Sequence, residues 1–463
     1  MEFLDATLWA VGMALIGAIV FGLLGLVSGT DETATIAPVT LLVILLGVPP
    51  AGVFAFFMAA IASKHITHAI PTTLLGIPGD TMAAPLLQDA QMLRELGVPH
   101  IALRKAISGG VVAALIAVPL AVLFALVLTP FAGAISAVAP WLFLAAAMLI
   151  AVLSKGRWAA LFALIPFVLL IVGLSGWATG VLEKGLSISF FLGIATGPLI
   201  ADLFLAASPA GRKLIGRADQ RTFELARDTR TWKGRMPNPF TVLDRKQLGY
   251  TATAAGISSA TFVFSPVAMT VLMGELFGAR FKNGYHRLTS RMAIRNGTTE
   301  STYIAETLIP LIAIGLPLSP MAAGPANPLF NAPPVYTIDA EAGTSNNLHD
   351  LLDPMQFLIF GLIAVIIAVL ISYPFAMTQA HRAAKWVMRT VSHEAIIGAF
   401  AALIVVICLY EGGIVAILVA LTVGLVGGLL NRMFNMHTGV QFMGYYVAVL
   451  SVPAIMALVA PAA

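Results

Sequence analysis

Residues 69–80 read AIPTTLLGIPGD, an apolar segment interrupted by Pro71 and by Gly76-Ile77-Pro78-Gly79 and closed by Asp80. Proline removes a backbone donor and glycine tolerates left-handed backbone, so the pattern predicts an unwound stretch rather than a continuous helix. A related line stands at residues 309–320, IPLIAIGLPLSP, where Ile309, Pro310, Gly315 and Pro317 repeat the spacing of Ile70, Pro71, Gly76 and Pro78. Broken hydrophobic segments at corresponding positions of two halves are the sequence mark of a transporter's binding site at the bilayer midplane.

Composition sets the class around these two lines. Hydrophobic residues make up 59% of the 463-residue chain, charged residues only 10%, and mean hydropathy is +0.94. Such a chain cannot clothe a soluble globule in polar surface, so it reads as an all-α polytopic membrane protein. The pI near 9.2 does not point to nucleic acid, because the cationic residues gather in short loops as they do on the cytoplasmic side of membrane proteins. Leu8–Val27 is preceded by Glu2 and Asp5 and followed by no A-x-A site, so it reads as a retained span. Cys408 is the only cysteine, which excludes an intramolecular disulfide.

In chain order, Leu8–Val27 leads into a polar knot, Ser28-Gly29-Thr30-Asp31-Glu32-Thr33, and then an apolar run broken at Pro49-Pro50. Lys64, His65 and His68 precede the organising stretch, and a polar segment from Gln88 to Lys105 follows it. Ile107–Leu128, Ile135–Leu153, Trp158–Leu174 and Ile188–Ala207 each read as spans of about 17 to 22 residues. The one long hydrophilic segment, Ser208–Gln247, is rich in Lys and Arg and is placed in the cytoplasm, dividing the chain into a first membrane repeat (1–207), a basic linker (208–247) and a second membrane repeat (248–463). Leu248–Met273 is apolar, kinked by Gly256 and Pro266, and basic at both ends, which favours a re-entrant pair. The second knot, Asn296–Thr302, introduces the second broken segment, the acidic Pro333–Asp353 is placed outside, and four spans follow: Phe357–Met377, Ala395–Leu409, Ile414–Leu430 and Val440–Val459.

The loop after the first broken segment contains Arg94, Arg104 and Lys105, whereas the loop after the second contains Asp339, Glu341, Asp350 and Asp353. This reversal predicts two inverted-topology repeats, roughly 10 to 12 transmembrane segments in all, whose broken or re-entrant helices meet near the midplane. Two registers compete: Gly76 on Gly315, or GTDETATIA from Gly29 laid on GTTESTYIA from Gly297, which instead brings Gly47 and Pro49 onto Gly315 and Pro317. Loop signs and equal helix counts favour the first.

LLGIPGD at Leu74–Asp80, with Asp89 beyond it, resembles the first-half signature of the large permease subunit of tripartite tricarboxylate transporters; Glu300-Ser301 with Ile309-Pro310-Leu311 and Gly315-Leu316-Pro317 resembles its second-half signature. The family's paired asparagines are replaced here around Thr302-Tyr303-Ile304, and Leu318 replaces a glycine, which marks a divergent member. The resemblance implies import of a carboxylate on a cation gradient, in company with a small membrane subunit and an extracytoplasmic solute-binding protein. A homodimer is compatible with it.

Interrupted helices offer free N–H groups and positive dipole ends to a carboxylate, and freed carbonyls and hydroxyls to sodium. The candidates for substrate and ion are Gly29, Thr30, Lys64, Thr72, Thr73, Gly76, Pro78, Gly79 and Asp80 in the first half, and Asn296, Thr298, Glu300, Ser301, Thr302, Glu306, Gly315 and Pro317 in the second. Against this stands the reading in which Gly and Pro kink packed helices and Thr caps them. Ionisable groups inside membranes default to function, so Lys64 is the candidate cation for a substrate carboxylate and Glu300, Glu306 and Asp80 are candidate proton carriers, Glu306 leading, against the alternatives that Lys64 snorkels to the interface and the acids cap helices or pair with Arg. No cofactor is implied beyond a coupling cation, with sodium favoured over a proton because the knots offer many neutral oxygens. The other classes are a passive channel for small anions and an intramembrane metal enzyme. The enzyme reading rests on His65 and His68, which lack the i, i+4 spacing and glutamate base of a zincin.

Overall fold

The computed structural model describes residues 3–28, 30, 32–77, 79–80, 82–183, 185–186, 188–207, 209, 237–260, 266–339, 344–390 and 393–459. Gly29 and Pro78, two of the candidate site residues, and most of the basic linker lie outside them. Among the described residues seven helices are long and apolar enough to cross a membrane, and four shorter apolar helices accompany them. The chain is a multi-pass, all-α membrane protein with one small antiparallel hairpin, β1 (Thr337–Asp339) with β2 (Thr344–Asn346).

The first half contains α1 (Phe3–Leu24), α2 (Glu32–Leu45), α3 (Pro50–Thr67), α4 (Leu87–Glu95), α5 (Pro99–Leu128), α6 (Ala139–Leu153), α7 (Trp158–Leu182) and α8 (Ile188–Ala207). The second contains α9 (Arg245–Ala260), α10 (Pro266–Gly278), α11 (Gly284–Ala313), α12 (Pro354–Thr390), α13 (His393–Phe434), α14 (Thr438–Tyr446) and α15 (Val452–Val459). Of the kinked segment predicted around Gly256 and Pro266, the described residues are helical over Arg245–Ala260, which runs through Gly256, and over Pro266–Gly278, while 261–265 lie outside them. The two spans predicted on either side of residue 412 meet at a break in α13, where Gly412 and Gly413 leave helical geometry.

Sorting of side chains follows the lipid solvent. α1 buries Ala6, Ala10, Ala14, Gly17 and Ala18 and turns Leu4, Leu8, Ile16, Ile19 and Leu23 outward. Association in lipid gains little from hydrophobicity, so small residues that let backbones approach do the packing. A Cβ on Gly17 would stand 2.5 Å from the Phe56 carbonyl of α3. Between α8 and α13, Gly193 and Gly197 face Gly424 and Gly428, so two small-residue ridges interlock.

The two broken helices are the innermost ones. The stretch Pro50–Leu75 has its whole apolar window buried in protein, and α11 is buried from Met292 to Ala313. α3 packs on α1 and α12, while α11 packs on α9, α10 and α5. Each therefore keeps a helix of its own half on one side and receives a long helix of the other half on the other. α6, α7, α8, α13 and α14 form a third group, against which α2 leans through α8 and α13.

The two polar knots do not occupy equivalent elements. In the first, Glu32 opens α2, whereas GTTESTYIA lies inside α11, well before its end at Ala313. Each tip glycine follows a run of three helices, α1, α2 and α3 before Gly76 and α9, α10 and α11 before Gly315.

Candidate functional site

Both broken helices end by the same local chemistry. After Thr67 the first helix widens into a π turn over Pro71–Leu75, since Pro71 has no N–H to continue the ladder. Thr72 and Thr73 donate to the carbonyls of His68 and Ala69 at 2.8 and 2.7 Å. The chain then reverses at Gly76, whose φ of +72° suits a residue without Cβ and whose N–H donates to the Pro71 carbonyl. In α11 the turn comes at Gly315, φ +73°, whose N–H donates to the Pro310 carbonyl at 2.9 Å. Four residues beyond each glycine, a side chain accepts an N–H three residues ahead: Asp80 Oδ1 from Ala83 at 3.0 Å, Ser319 Oγ from Ala322 at 3.1 Å.

The two tips differ in what they hold. Past Gly76, Gly79 N–H donates to Thr72 Oγ1 at 3.1 Å, and a Cβ there would stand 2.6 Å from the His68 carbonyl, so the loop lies backbone against helix. That approach delivers Asp80 back to α3. Its Oδ2 accepts from Lys64 Nζ at 3.2 Å and lies 2.8 Å from His68 Nδ1, all three side chains being buried. Lys64 also donates to the Thr30 carbonyl at 2.6 Å. Lys64, read from sequence as the cation awaiting a substrate, is thus already committed to Asp80 and Thr30. The cation that stands over the first tip is Arg94 of α4, whose guanidinium occupies the space a Gly76 Cβ would take. At the second tip, Ser319 Oγ donates to the Glu306 carbonyl at 2.6 Å, and Glu306 Oε2 accepts from Met321 N–H at 3.3 Å. Glu306 Oε1 is buried with no partner among the described residues. Asn347 donates to the Gly315 carbonyl at 3.0 Å, and His349 packs against Gly315 with its Nδ1 2.9 Å from the Ile312 carbonyl.

The second knot is not an unwound ion cradle. Thr298, Ser301 and Thr302 donate to carbonyls four residues back, at 2.8, 2.9 and 2.7 Å, and α11 runs through them without a break. Hydroxyls buried in apolar surroundings satisfy themselves on their own helix, so they free no carbonyl for sodium. Asn296 donates to the Ala106 carbonyl at 3.0 Å and ties α11 to α5. In the first knot Thr30 Oγ1 donates to Val27 O at 2.9 Å, and its own carbonyl is taken by Lys64.

The link between the two broken helices is made by His65. Its Nδ1 lies 2.5 Å from Glu300 Oε2 on α11, and its Nε2 lies 2.6 Å from Glu32 Oε1 on α2. All three residues are 2–3% exposed, so the bridge is shielded from water, and the ring also meets Tyr303 edge-on at 4.9 Å. His68, 5.2 Å from His65 ring to ring, is engaged by Asp80. With both nitrogens of His65 occupied by carboxylates, this pair does not present the imidazole face a hydrolytic metal would need. Glu32, His68 and Asp80 approach within 4.8 Å of one another, but the Lys64 ammonium already supplies the positive centre beside them.

A second ionic cluster secures the loop after the first tip. Asp89 of α4 meets Arg295 at 2.8 Å and Arg291 at 3.5 Å, both on α11, and Arg295 also reaches Glu275 of α10 at 2.7 Å and the Pro85 carbonyl at 2.8 Å. Of the residues gathered here, Glu300 is among the candidates named from sequence, whereas Glu32, His65 and Arg94 are not. The available signal was charge inside apolar sequence, which singled out His65 for a metal and left Glu32 in a knot without a partner.

The family model described as the Tripartite tricarboxylate transporter TctA family matches residues 11–439. No curated protein and no solved structure matches the chain.

Proposed function

Because this chain belongs to the tripartite tricarboxylate transporter TctA family, we propose that it is the membrane component that imports a small carboxylate, of di- or tricarboxylate type, by alternating access on a cation gradient. The observation that carries this reading is the pair of buried helices broken alike at Gly76 and Gly315, one of them overhung by Arg94. A guanidinium binds a carboxylate through two parallel hydrogen bonds and keeps its charge at any working pH, so Arg94 is the substrate anchor at the first tip. Asn347 and His349 cover the second tip, and their withdrawal would open the turn at Gly315.

The exchange of helices between halves supports an inverted-repeat mechanism. α12 sits on α3 and α5 on α11, so rocking one group against the other moves both tips together while each half stays bonded to the other. In this reading the basic 208–247 segment is cytoplasmic and the 333–353 segment faces outside. Cysteines introduced at Thr222 and Ser345 should label from opposite faces. Partners are a small membrane subunit and an extracytoplasmic solute-binding protein.

The coupling cation is sodium or a proton. Sodium was favoured on the neutral oxygens of the knots, which are engaged within their own helices, whereas carboxylate and imidazole groups gather around His65. A thermal-shift screen of mono-, di- and tricarboxylates, each with and without sodium and at two pH values, tests the reading. A ligand at 100 times its Kd stabilises by about 2.7 kcal/mol, a readily measured rise in melting temperature. Stabilisation by a di- or tricarboxylate, lost in Arg94→Ala, is expected. Indifference to every carboxylate would overturn the proposal.

A further inference from the structure

Among the described residues, His65 bonds three packing groups together. It belongs to α3, which packs with α1 and α12; Glu300 belongs to α11, which packs with α5, α9 and α10; Glu32 belongs to α2, which leans on α8 and α13. The separations along the chain, 33 and 235 residues, make both contacts purely tertiary. Each contact joins a ring nitrogen to a carboxylate oxygen, and each requires a proton between them. Two protons must therefore be shared among His65, Glu32 and Glu300, either both on the ring or one on the ring and one on a carboxyl, and the trio carries a net charge of −1 in either arrangement.

We propose that the Glu32–His65–Glu300 bridge is a proton-binding site, and that the proton it gains and loses is the coupling ion of the transport cycle. Its coupling role rests on the transport reading above; its proton binding does not. When one of the two protons leaves to water, no other bond breaks. The ring keeps a single N–H, one carboxylate keeps its hydrogen bond, and the other faces a bare nitrogen lone pair across 2.5–2.6 Å. The trio then carries −2 in surroundings shielded from water, where the unpaired carboxylate is unstable. One arm must let go, and the arm that lets go frees either α2 or α11 from α3. Proton occupancy is thereby tied to whether the three groups are held together.

Glu32 Oε2 and Glu300 Oε1 are buried without partners among the described residues, as is His68 Nε2, so the trio has spare acceptors pointing into protein. His68 and Asp80, with Lys64 on Asp80, form a second unit beside it on the same helix. Tyr303 of α11 meets the His65 ring by its edge. From α5 and α12 the side chains that line the small cavity beside His65 and Glu300 include Gly110, Val111 and Val369, none of them titratable, with Asn296 completing the wall. From α1, Gly22 and Gly25 face Ser63, Thr67 and the backbone of Lys64 and His68, again without a titratable group.

The test uses the full-length purified protein in lipid nanodiscs, with ¹⁵N-labelled histidine and His65→Gln to identify the resonances of His65. The expected result is that both ring nitrogens of His65 show hydrogen-bonded signals at low pH and that one changes on raising pH from 5 to 9. Glu300→Gln and Glu32→Gln should each displace the midpoint by about one pH unit or more, because each removes an adjacent charge. A histidine of purely structural role would keep one unchanging tautomer across the range, and that result would overturn the proposal even if neither glutamine variant folds, because wild-type protein alone shows it. Uptake of labelled citrate, with the partner subunits present, separates the two readings. If His65→Gln retains citrate exchange but loses accumulation against a gradient, the coupling role stands. If wild type carries no citrate, the transport reading fails for that substrate while the histidine titration still decides whether the bridge binds a proton. Unaltered accumulation in His65→Gln would overturn the coupling role.

Discussion

Lys64→Met should be among the most damaging single changes in the protein, and its effect should depend on Asp80. The two side chains are fully buried with nitrogen and oxygen 3.2 Å apart. At an effective dielectric of about 20 that separation is worth about 5 kcal/mol of attraction, most of it offsetting desolvation of the two ions. Removing one partner strands the other, which costs about 3–5 kcal/mol. Lys64→Met falls at the lower end, because Asp80 retains His68 at 2.8 Å and the Ala83 N–H at 3.0 Å. Asp80→Asn falls at the upper end, because among the described residues the ammonium then keeps the Thr30 carbonyl and no anion. The double variant leaves no stranded charge of this pair, so its loss should be smaller than the sum of the single losses by about 2–3 kcal/mol. Unfolding in mixed micelles with increasing dodecyl sulfate, followed by far-UV circular dichroism, measures all four proteins. Losses that add within about 0.5 kcal/mol would refute the pairing.

Gly109→Ala should destabilise by about 2–3 kcal/mol through overpacking, because its Cβ would stand 2.1 Å from the Ala293 carbonyl and no rotamer of a neighbour can relieve a backbone clash. Gly173→Ala, with nothing within 4 Å, should instead stabilise by about 0.5–1 kcal/mol, and thermal melts of the two side by side check the contrast in sign. Gly76→Ala combines about 1–2 kcal/mol of left-handed backbone strain with displacement of Arg94, so it should lower the melting temperature and also abolish carboxylate-induced stabilisation in the thermal-shift screen. Arg295→Met removes the nearer of the two guanidinium partners of the buried Asp89 and leaves Arg291 at 3.5 Å, and limited proteolysis of the 82–98 segment should accelerate relative to wild type.

The breaks were legible because they are local. Proline five residues before glycine fixes where the ladder stops and where the left-handed turn falls, and both Gly76 and Gly315 sit where that spacing puts them. The basic and acidic character of the loops was equally readable, and the membrane class followed from composition alone. The knots were misjudged at Asn296–Thr302. A cluster of Thr and Ser offers many neutral oxygens in sequence, yet in a buried helix the hydroxyls bond back to their own carbonyls and the helix continues. Lys64 was recognised as a buried cation but not as Asp80's partner, since that pairing requires the loop after Gly76 to fold back flat on α3, which Gly79 alone permits. His65 was unreadable as a bridge for a different reason: its partners come from α2 and α11, and no short-range pattern records a contact across 235 residues. The gapless match of the two G-T-x-E lines sets Glu32 on Glu300 by register, although their elements differ, and both glutamates meet on one imidazole.

Carriage of a carboxylate through this chain on a cation gradient that the His65 bridge reads as protons is tested most directly by uptake of labelled citrate into proteoliposomes containing the chain with its membrane and solute-binding partners, under imposed pH and sodium gradients applied separately. Accumulation that follows the pH gradient and ignores the sodium gradient is the predicted result; accumulation that follows sodium alone, or neither gradient, would contradict it.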